Sequence, residues 1–87
     1  MEFVILGKFR RRPTKDTPVQ ANKLMEEAKK EGIKFVKMYW TLGRYDTAAI
    51  VEAPNERAVM KWGLAMSEIL ATETLVAVPR DEAIKWL

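Results

Sequence analysis

The chain has 87 residues, of which 48% are hydrophobic and 31% charged, and its formal net charge is +3. Such a length predicts one domain spanning residues 1–87, because it is too short for two independent cores. The chain has no cysteine and no histidine. This excludes disulfides, thiolate nucleophiles, an imidazole base and most transition-metal sites, so we expect neither a metal nor a cofactor.

The first predicted strand runs from Phe3 to Phe9 and follows an acidic second residue. This short apolar run is typical of a strand and not of a signal peptide. No other stretch approaches the roughly 18 apolar residues that span a bilayer. We therefore expect a cytoplasmic protein that has no membrane partner.

A basic segment follows the first strand. Residues 1–40 carry ten Lys and Arg against five Asp and Glu, a net +5, whereas residues 41–87 carry five against seven, a net −2. Such a cluster either contacts an anionic partner or is a solvated loop, and the solvated loop is the commoner case. The cluster consists of Lys8, Arg10, Arg11, Arg12 and Lys15.

Two helices and three further strands are predicted downstream. Thr17 as N-cap and Pro18 at the first helical position predict the start of helix one, and Gly32 predicts its end. Strand two is predicted over 33–42 and strand three over 47–52, with a tight turn between them. Asn55 is the expected cap of helix two, whose apolar stripe consists of Ala58, Val59, Trp62, Ala65, Met66 and Ile69.

The end of the chain predicts strand four over 72–78 and a last short helix over 80–87. The segment between helix two and strand four, Ser67 to Ala71, contains no glycine that would end the helix. We therefore expect helix two to run longer. The last helix offers only three apolar side chains and is expected to cover an edge of the sheet or the mouth of a barrel. These side chains are Ile84, Trp86 and Leu87.

The order β-α-β-β-α-β predicts an α+β, ferredoxin-like fold with a four-stranded antiparallel sheet and two helices on one face. The second face should then be polar, but both faces of every predicted strand are apolar. In strand two we expect Phe35 and Tyr39 on one face and Val36, Met38 and Trp40 on the other. An open apolar face is best buried by a second copy, so we expect a two-fold homodimer or a higher homo-oligomer.

The most distinctive segment is Tyr39 to Pro54, with Gly43-Arg44-Tyr45-Asp46 at its centre. Together with Val51 to Pro54 and Thr72 to Leu75, it resembles the signature of the GYD domain family. The resemblance implies a ferredoxin-like domain of the dimeric α+β barrel group. It implies no established activity and no catalytic residue, and it marks Gly43, Tyr45 and Asp46.

The turn offers the first candidate ligand-binding residues. Gly43 is expected to adopt a positive φ. Asp46 either bonds backbone amides in the turn or stands as a carboxylate at the mouth of a cavity. Tyr45 is either a packing aromatic or a phenol that orients a ligand. Arg44 pairs with Asp46, faces solvent or captures an anion bidentately.

Three further candidates lie on the flanking strands. Tyr39 and Trp40 project to opposite sheet faces, and either is a core residue or the wall of a flat apolar pocket. Glu52 either pairs with a nearby Lys or Arg at the sheet edge or faces a cavity, where burial would raise its pKa. Lys8, Thr72 and Thr74 are weaker candidates for polar groups lining a cavity.

Three functional classes are compatible with these residues. The first is a homo-oligomeric small-molecule-binding protein with a partly apolar cavity between two sheets. The second is a cofactor-independent enzyme of isomerase or monooxygenase type, for which only fold analogy argues. The third is a structural or regulatory oligomer. RNA binding is not favoured, because strand three lacks the aromatic residue that RNA-recognition domains use.

Overall fold

The computed structural model describes residues 1–87, which form an antiparallel sheet with the strand order β2-β3-β1-β4 and helices on one face. This is the predicted α+β, ferredoxin-like arrangement, including the short C-terminal helix. None of the helices combines the length and the apolar content that a membrane span requires. The elements are β1 (Glu2–Phe9), α1 (Asp16–Lys30), β2 (Lys34–Trp40), β3 (Thr47–Glu52), α2 (Glu56–Ala65), β4 (Leu70–Ala77), α3 (Arg80–Ala83) and a 3₁₀ turn (Ile84–Trp86).

The hydrophobic core lies between the sheet and helices α1 and α2. Its 12 buried residues are all apolar, and the most completely buried are Phe3 and Val51, on adjacent central strands. Ala28 comes from α1, while Val59 and Trp62 come from α2. The two helices therefore cover one face of the sheet, which we call the helix-side face.

The other face, which we call the open face, has no helix on it. Val4 on β1 lies opposite Ile50 on β3 and Leu75 on β4. Leu6 lies opposite Ala48 in the same way. Since side chains alternate along a strand, these residues point away from the core that contains Phe3 and Val51. The centre of the open face is thus apolar, as the sequence predicts.

The predicted assignment of side chains to the two sheet faces is wrong for the first half of strand two, because β2 contains a β-bulge at Val36. Phe35 pairs with Val51, but the next paired residue is Lys37, opposite Ile50. The extra residue reverses the alternation, as bulges do. Phe35 therefore shares the helix-side face with Met38 and Trp40, and Tyr39 lies on the open face.

Helix α1 begins earlier than predicted. Its first residue is Asp16, and Pro18 is its third residue rather than its first. The chain enters the helix through a local turn in which the Asp16 amide donates to Thr14 Oγ1 at 3.3 Å and the Thr14 amide to Thr17 Oγ1 at 2.8 Å. Proline is tolerated at the third position because amides of the first turn have no partner within the helix.

Helix α2 begins as predicted but ends sooner. Asn55 Oδ1 accepts a hydrogen bond from the Ala58 amide at 3.1 Å, which caps the helix. The helix ends at Ala65, so the expected extension is wrong. The amides of Ile69 and Leu70 both donate to Met66 O, at 2.8 and 2.9 Å, and this turn leads directly into β4.

The C-terminal segment contributes no residue to the hydrophobic core. Neither α3 nor the 3₁₀ turn contains a buried residue. The expectation that this segment covers an edge or a barrel mouth is not met within one chain, because its large apolar side chains are exposed. These are Ile84, Trp86 and Leu87.

Candidate functional site

The turn between β2 and β3 is shaped by Gly43. Its φ is +108°, in the region that glycine favours, as the sequence predicts. No atom lies within 4 Å of the position that a Cβ would occupy, so backbone conformation and not space requires glycine. The turn is closed by Thr41, whose amide donates to Asp46 O at 2.8 Å and whose hydroxyl donates to Tyr45 O at 2.7 Å.

Asp46 joins this turn to the central strand β1. Its carboxylate Oδ2 accepts a hydrogen bond from the Phe9 amide at 2.8 Å. Its own amide donates to Gly7 O at 2.8 Å. With the bond from Thr41, the side chain and both backbone polar groups of Asp46 are engaged. This residue holds the turn against β1.

Tyr45 extends from the turn across β1 and donates its phenolic hydrogen bond to Glu73 on β4. The Arg44 guanidinium lies 5.7 Å from the centre of the Tyr45 ring, a cation–π distance. Lys8 Nζ donates to Arg44 O at 3.3 Å. We call these four residues the turn cluster. They line a shallow, open depression of about 300 Å³ at one end of the sheet.

The pKa of Tyr45 is raised above its ordinary value of 10.0, chiefly because its hydroxyl donates to the Glu73 carboxylate. Partial desolvation and the negative charge of Glu73 act in the same direction, and Arg44 opposes them. At neutral pH the phenol is therefore protonated and serves as a hydrogen-bond donor. It is not available as a general base.

Titration of Tyr45 tests this geometry. In a Tyr39→Phe background, where Tyr45 is the only tyrosine, absorbance at the phenolate band should show a midpoint above 10.0. The stability that the hydrogen bond contributes is fully present below pH 10 and is lost as the pH rises through the raised pKa. In the Glu73→Gln variant the midpoint should move back toward the ordinary value. An unchanged midpoint would show that Glu73 does not hold the phenol.

The other candidate residues lie elsewhere on the sheet. Tyr39 lies on the open face opposite Ala48. Trp40 lies on the helix-side face, where its ring packs edge-on against Phe9 with centroids 5.1 Å apart. Glu52 lies at the far end of β3, about 20 Å from Asp46 at about 3.4 Å per residue. The structure therefore brings Arg44 and Tyr45 together, but not Trp40 or Glu52 with them.

Glu73 is the site residue that the sequence analysis missed. The neighbouring residues Thr72 and Thr74 were predicted instead. They pair with Gly7 and Ile5 and so lie on the helix-side face, although Thr72 also lines the depression. Glu73 pairs with Leu6 and points the other way. The sequence signal that could have identified it is the alternation along β4, because Glu73 lies two residues before Leu75 and so shares its face.

In the basic segment, Arg10, Arg11 and Arg12 are exposed, and only Lys8 of the predicted cluster reaches the turn.

These features define a ferredoxin-like α+β protein with a polar cluster at one end of an uncovered sheet face. The chain belongs to the GYD domain family, whose model matches residues 3–87. A search of curated proteins gives no significant match.

Solved structures share the fold at low sequence identity. Escherichia coli AsnC is 24% identical with a TM-score of 0.60, and the match covers 91% of this chain and 51% of AsnC. The chain thus spans about half of the AsnC length. Hypothetical protein PHS023 from Pyrococcus horikoshii is 23% identical with a TM-score of 0.55, and 88% of each chain is covered. TTHA0845 from Thermus thermophilus is 22% identical with a TM-score of 0.53, covering 91% of this chain and 98% of that one.

Proposed function

We propose that this protein is a homodimeric small-molecule-binding module. Two copies pack their open faces together, and the turn cluster of each copy lies at the rim of the space between the sheets. The observation that carries the proposal is the apolar centre of the open face, which has the turn cluster at one end.

The surface area of the single chain supports the dimer. Its accessible surface is 6528 Å², whereas a folded monomer of 10.0 kDa typically exposes about 5,200 Å². The excess is about 1,300 Å², and a stable interface typically removes about 800 Å² from each partner. Burying an interface of that size on the open face would remove more than half of this excess.

The pattern of charge on the open face also supports a dimer. Its centre consists of Val4, Leu6, Ile50 and Leu75, with no charge among them. The charged residues of this face lie at its periphery: Glu2 and Lys8 lie near the ends of β1, while Lys37 and Glu73 lie on the edge strands β2 and β4. An apolar centre and a polar rim are typical of protein interfaces.

The turn cluster suggests the chemistry of the ligand. Tyr45 offers a hydroxyl oxygen that can accept a hydrogen bond, since its proton is donated to Glu73. Arg44 offers a cation, and both residues lie beside the apolar centre of the face. Tyr39, on the same face, offers an aromatic surface. This combination suits a small, partly apolar molecule with one hydrogen-bonding or anionic group.

Native mass spectrometry on the protein as purified tests the proposal. We expect a dimer with added mass, and a Tyr45→Phe, Glu73→Gln double variant should remain a dimer but lose that mass. Glu52→Gln is the matched control, because it removes a carboxylate at the other end of the sheet, and it should keep the mass. A wild-type monomer would refute the dimer. A wild-type dimer without added mass, or a double variant that keeps the mass, would refute ligand binding at this cluster.

A further inference from the structure

A second cavity lies on the helix-side face, away from the turn cluster. It has a volume of about 270 Å³ and lies between α1 and the sheet. We call it the helix-side cleft. The large side chains that line it include Phe9, Met25, Met38, Trp40, Trp62 and Met66.

The cleft arises because α1 presents small side chains where β2 presents large ones. The bulge at Val36 turns Met38 and Trp40 toward the helices, yet they remain 47% and 64% exposed. Facing them on α1 are Pro18 and Ala21. These residues are too short to fill the space above the β2 edge, so the core is incompletely packed there.

The chemistry of the lining excludes a charged occupant. Twelve of the 16 lining residues are hydrophobic and none is charged, in a chain that is 31% charged. An ion placed here would lose hydration without gaining a partner. Three of the five methionines line the cleft, and their flexible, polarisable side chains adapt to flat ligands.

Polar groups at the cleft are free to bind a ligand, and the buried one among them is the indole N–H of Trp62, which has no hydrogen-bond partner in the protein and can donate to a bound carbonyl. The side chain of Asn22 is exposed and makes no hydrogen bond within the protein, so its amide can donate to or accept from the ligand. The Thr17 hydroxyl, in contrast, already accepts the Thr14 amide. A single hydrogen-bonding group on the ligand is therefore enough to match the polar part of the cleft.

From these observations we propose that the helix-side cleft binds an uncharged aromatic compound of one or two rings that carries a single carbonyl or hydroxyl group. An apolar cavity of about 150 Å³ accepts benzene, so a cleft of about 270 Å³ has room for a second ring. The cleft lies on the opposite side of the sheet from the open face. It therefore stays accessible in the proposed dimer, and its ligand is independent of the one at the turn cluster.

Binding of 2-acetylnaphthalene to the whole protein tests the proposal. Isothermal titration calorimetry should give a Kd below about 100 μM for this neutral two-ring ketone. Naphthalene-2-carboxylate has nearly the same shape but carries a charge, and it should bind at least about tenfold more weakly. No binding of the ketone, or equal binding of the two compounds, would overturn the proposal.

Methionine methyl NMR locates the bound ketone without any substitution. The signals of Met25, Met38 and Met66 should shift on addition of 2-acetylnaphthalene. Met1 and Met60 lie outside the cleft and should not shift. Shifts confined to Met1 or Met60 would place the ketone elsewhere and refute the site.

Substitutions at residues that line the cleft provide a second test of ketone binding. Ala21→Phe fills the cleft and should weaken ketone binding at least about tenfold, whereas Ala65→Phe, on the exposed end of α2, should leave it unchanged. Ala21→Leu serves the same purpose if the larger side chain prevents folding. Asn22→Leu should weaken the ketone about fivefold and leave naphthalene unaffected. Wild-type affinity in both Ala21 variants would overturn the proposal.

Discussion

Replacing Val4 by Glu is expected to convert the proposed dimer into a monomer of 10.0 kDa. Val4 lies on central strand β1 between Ile50 and Leu75, at the middle of the open face. In a sheet-to-sheet dimer the new carboxylate would be removed from water, and the cation in its row of the sheet, Lys37, lies two strands away on the edge strand β2. Leaving a buried charge unpaired costs about 3–5 kcal/mol.

A cost of that size should raise the dimer dissociation constant by at least about 100-fold, since about 1.4 kcal/mol corresponds to a factor of ten. Sedimentation velocity across a range of protein concentrations measures the shift. The fold of the single chain should survive, because Val4 points away from the helix-side core.

Val19→Glu is the matched control. It introduces the same charge at an apolar residue on the outside of α1, where the side chain is already 53% exposed, and it should leave the dimer intact. If both variants remain dimers at micromolar concentration, the interface is not the open face. If both are monomers, net charge and not position controls association.

The sequence predicted the elements whose determinants are local. Asn55 caps α2 through a side-chain bond to an amide three residues ahead, which local sequence reports well. Gly43 adopts the positive φ that a tight turn between two strands requires. The strand and helix order followed from these signals, and the strand order is the one typical of the ferredoxin-like fold.

The faces of β2 could not be predicted, because a bulge is set by pairing with a neighbouring strand. Phe35 and Lys37 pair with consecutive residues of β3, Val51 and Ile50, and nothing in the local sequence marks Val36 as the extra residue. One inserted residue moves every later side chain to the opposite face. Trp40 was correctly expected to point away from Tyr39, but the face that each occupies depended on this bulge.

Three residues of the turn cluster, Lys8, Arg44 and Tyr45, were named as candidates from the sequence, but the fourth could not be, for the same reason. Arg44 and Tyr45 are adjacent in the turn, so the motif itself indicated them. Glu73 is 28 residues away, and it meets Tyr45 only because β4 pairs with β1 in a register that puts Glu73 opposite Leu6. The helix-side cleft depends on how closely α1 approaches the sheet, which is a property of packing rather than of periodicity.

Asp46→Ala is expected to destabilise the protein by about 2 kcal/mol in urea unfolding at a fixed protein concentration. The substitution removes the carboxylate that accepts the Phe9 amide at 2.8 Å and leaves that partly buried donor without a partner. Hydrogen bonds to charged acceptors are the stronger ones, and an unmade bond costs the desolvation of the group left behind.

Asp46→Asn is the matched control, because its side-chain oxygen can still accept the Phe9 amide. It should cost less than about 1 kcal/mol, with only the charge lost. Equal losses in the Ala and Asn variants would show that the negative charge, and not the acceptor, stabilises the turn. No loss in either would show that the hydrogen bond contributes nothing to stability.

The same pair of variants separates the roles of the adjacent residues in the motif. Asp46 holds the turn against β1, and this turn sets the path of Tyr45 toward Glu73. Asp46→Ala should therefore also lower the midpoint of Tyr45 ionisation toward its ordinary value of 10.0, although the Tyr45 and Glu73 side chains are unchanged. Asp46→Asn should keep the raised midpoint. Asp46 therefore positions the phenol, and of these two residues only Tyr45 would contact the proposed ligand.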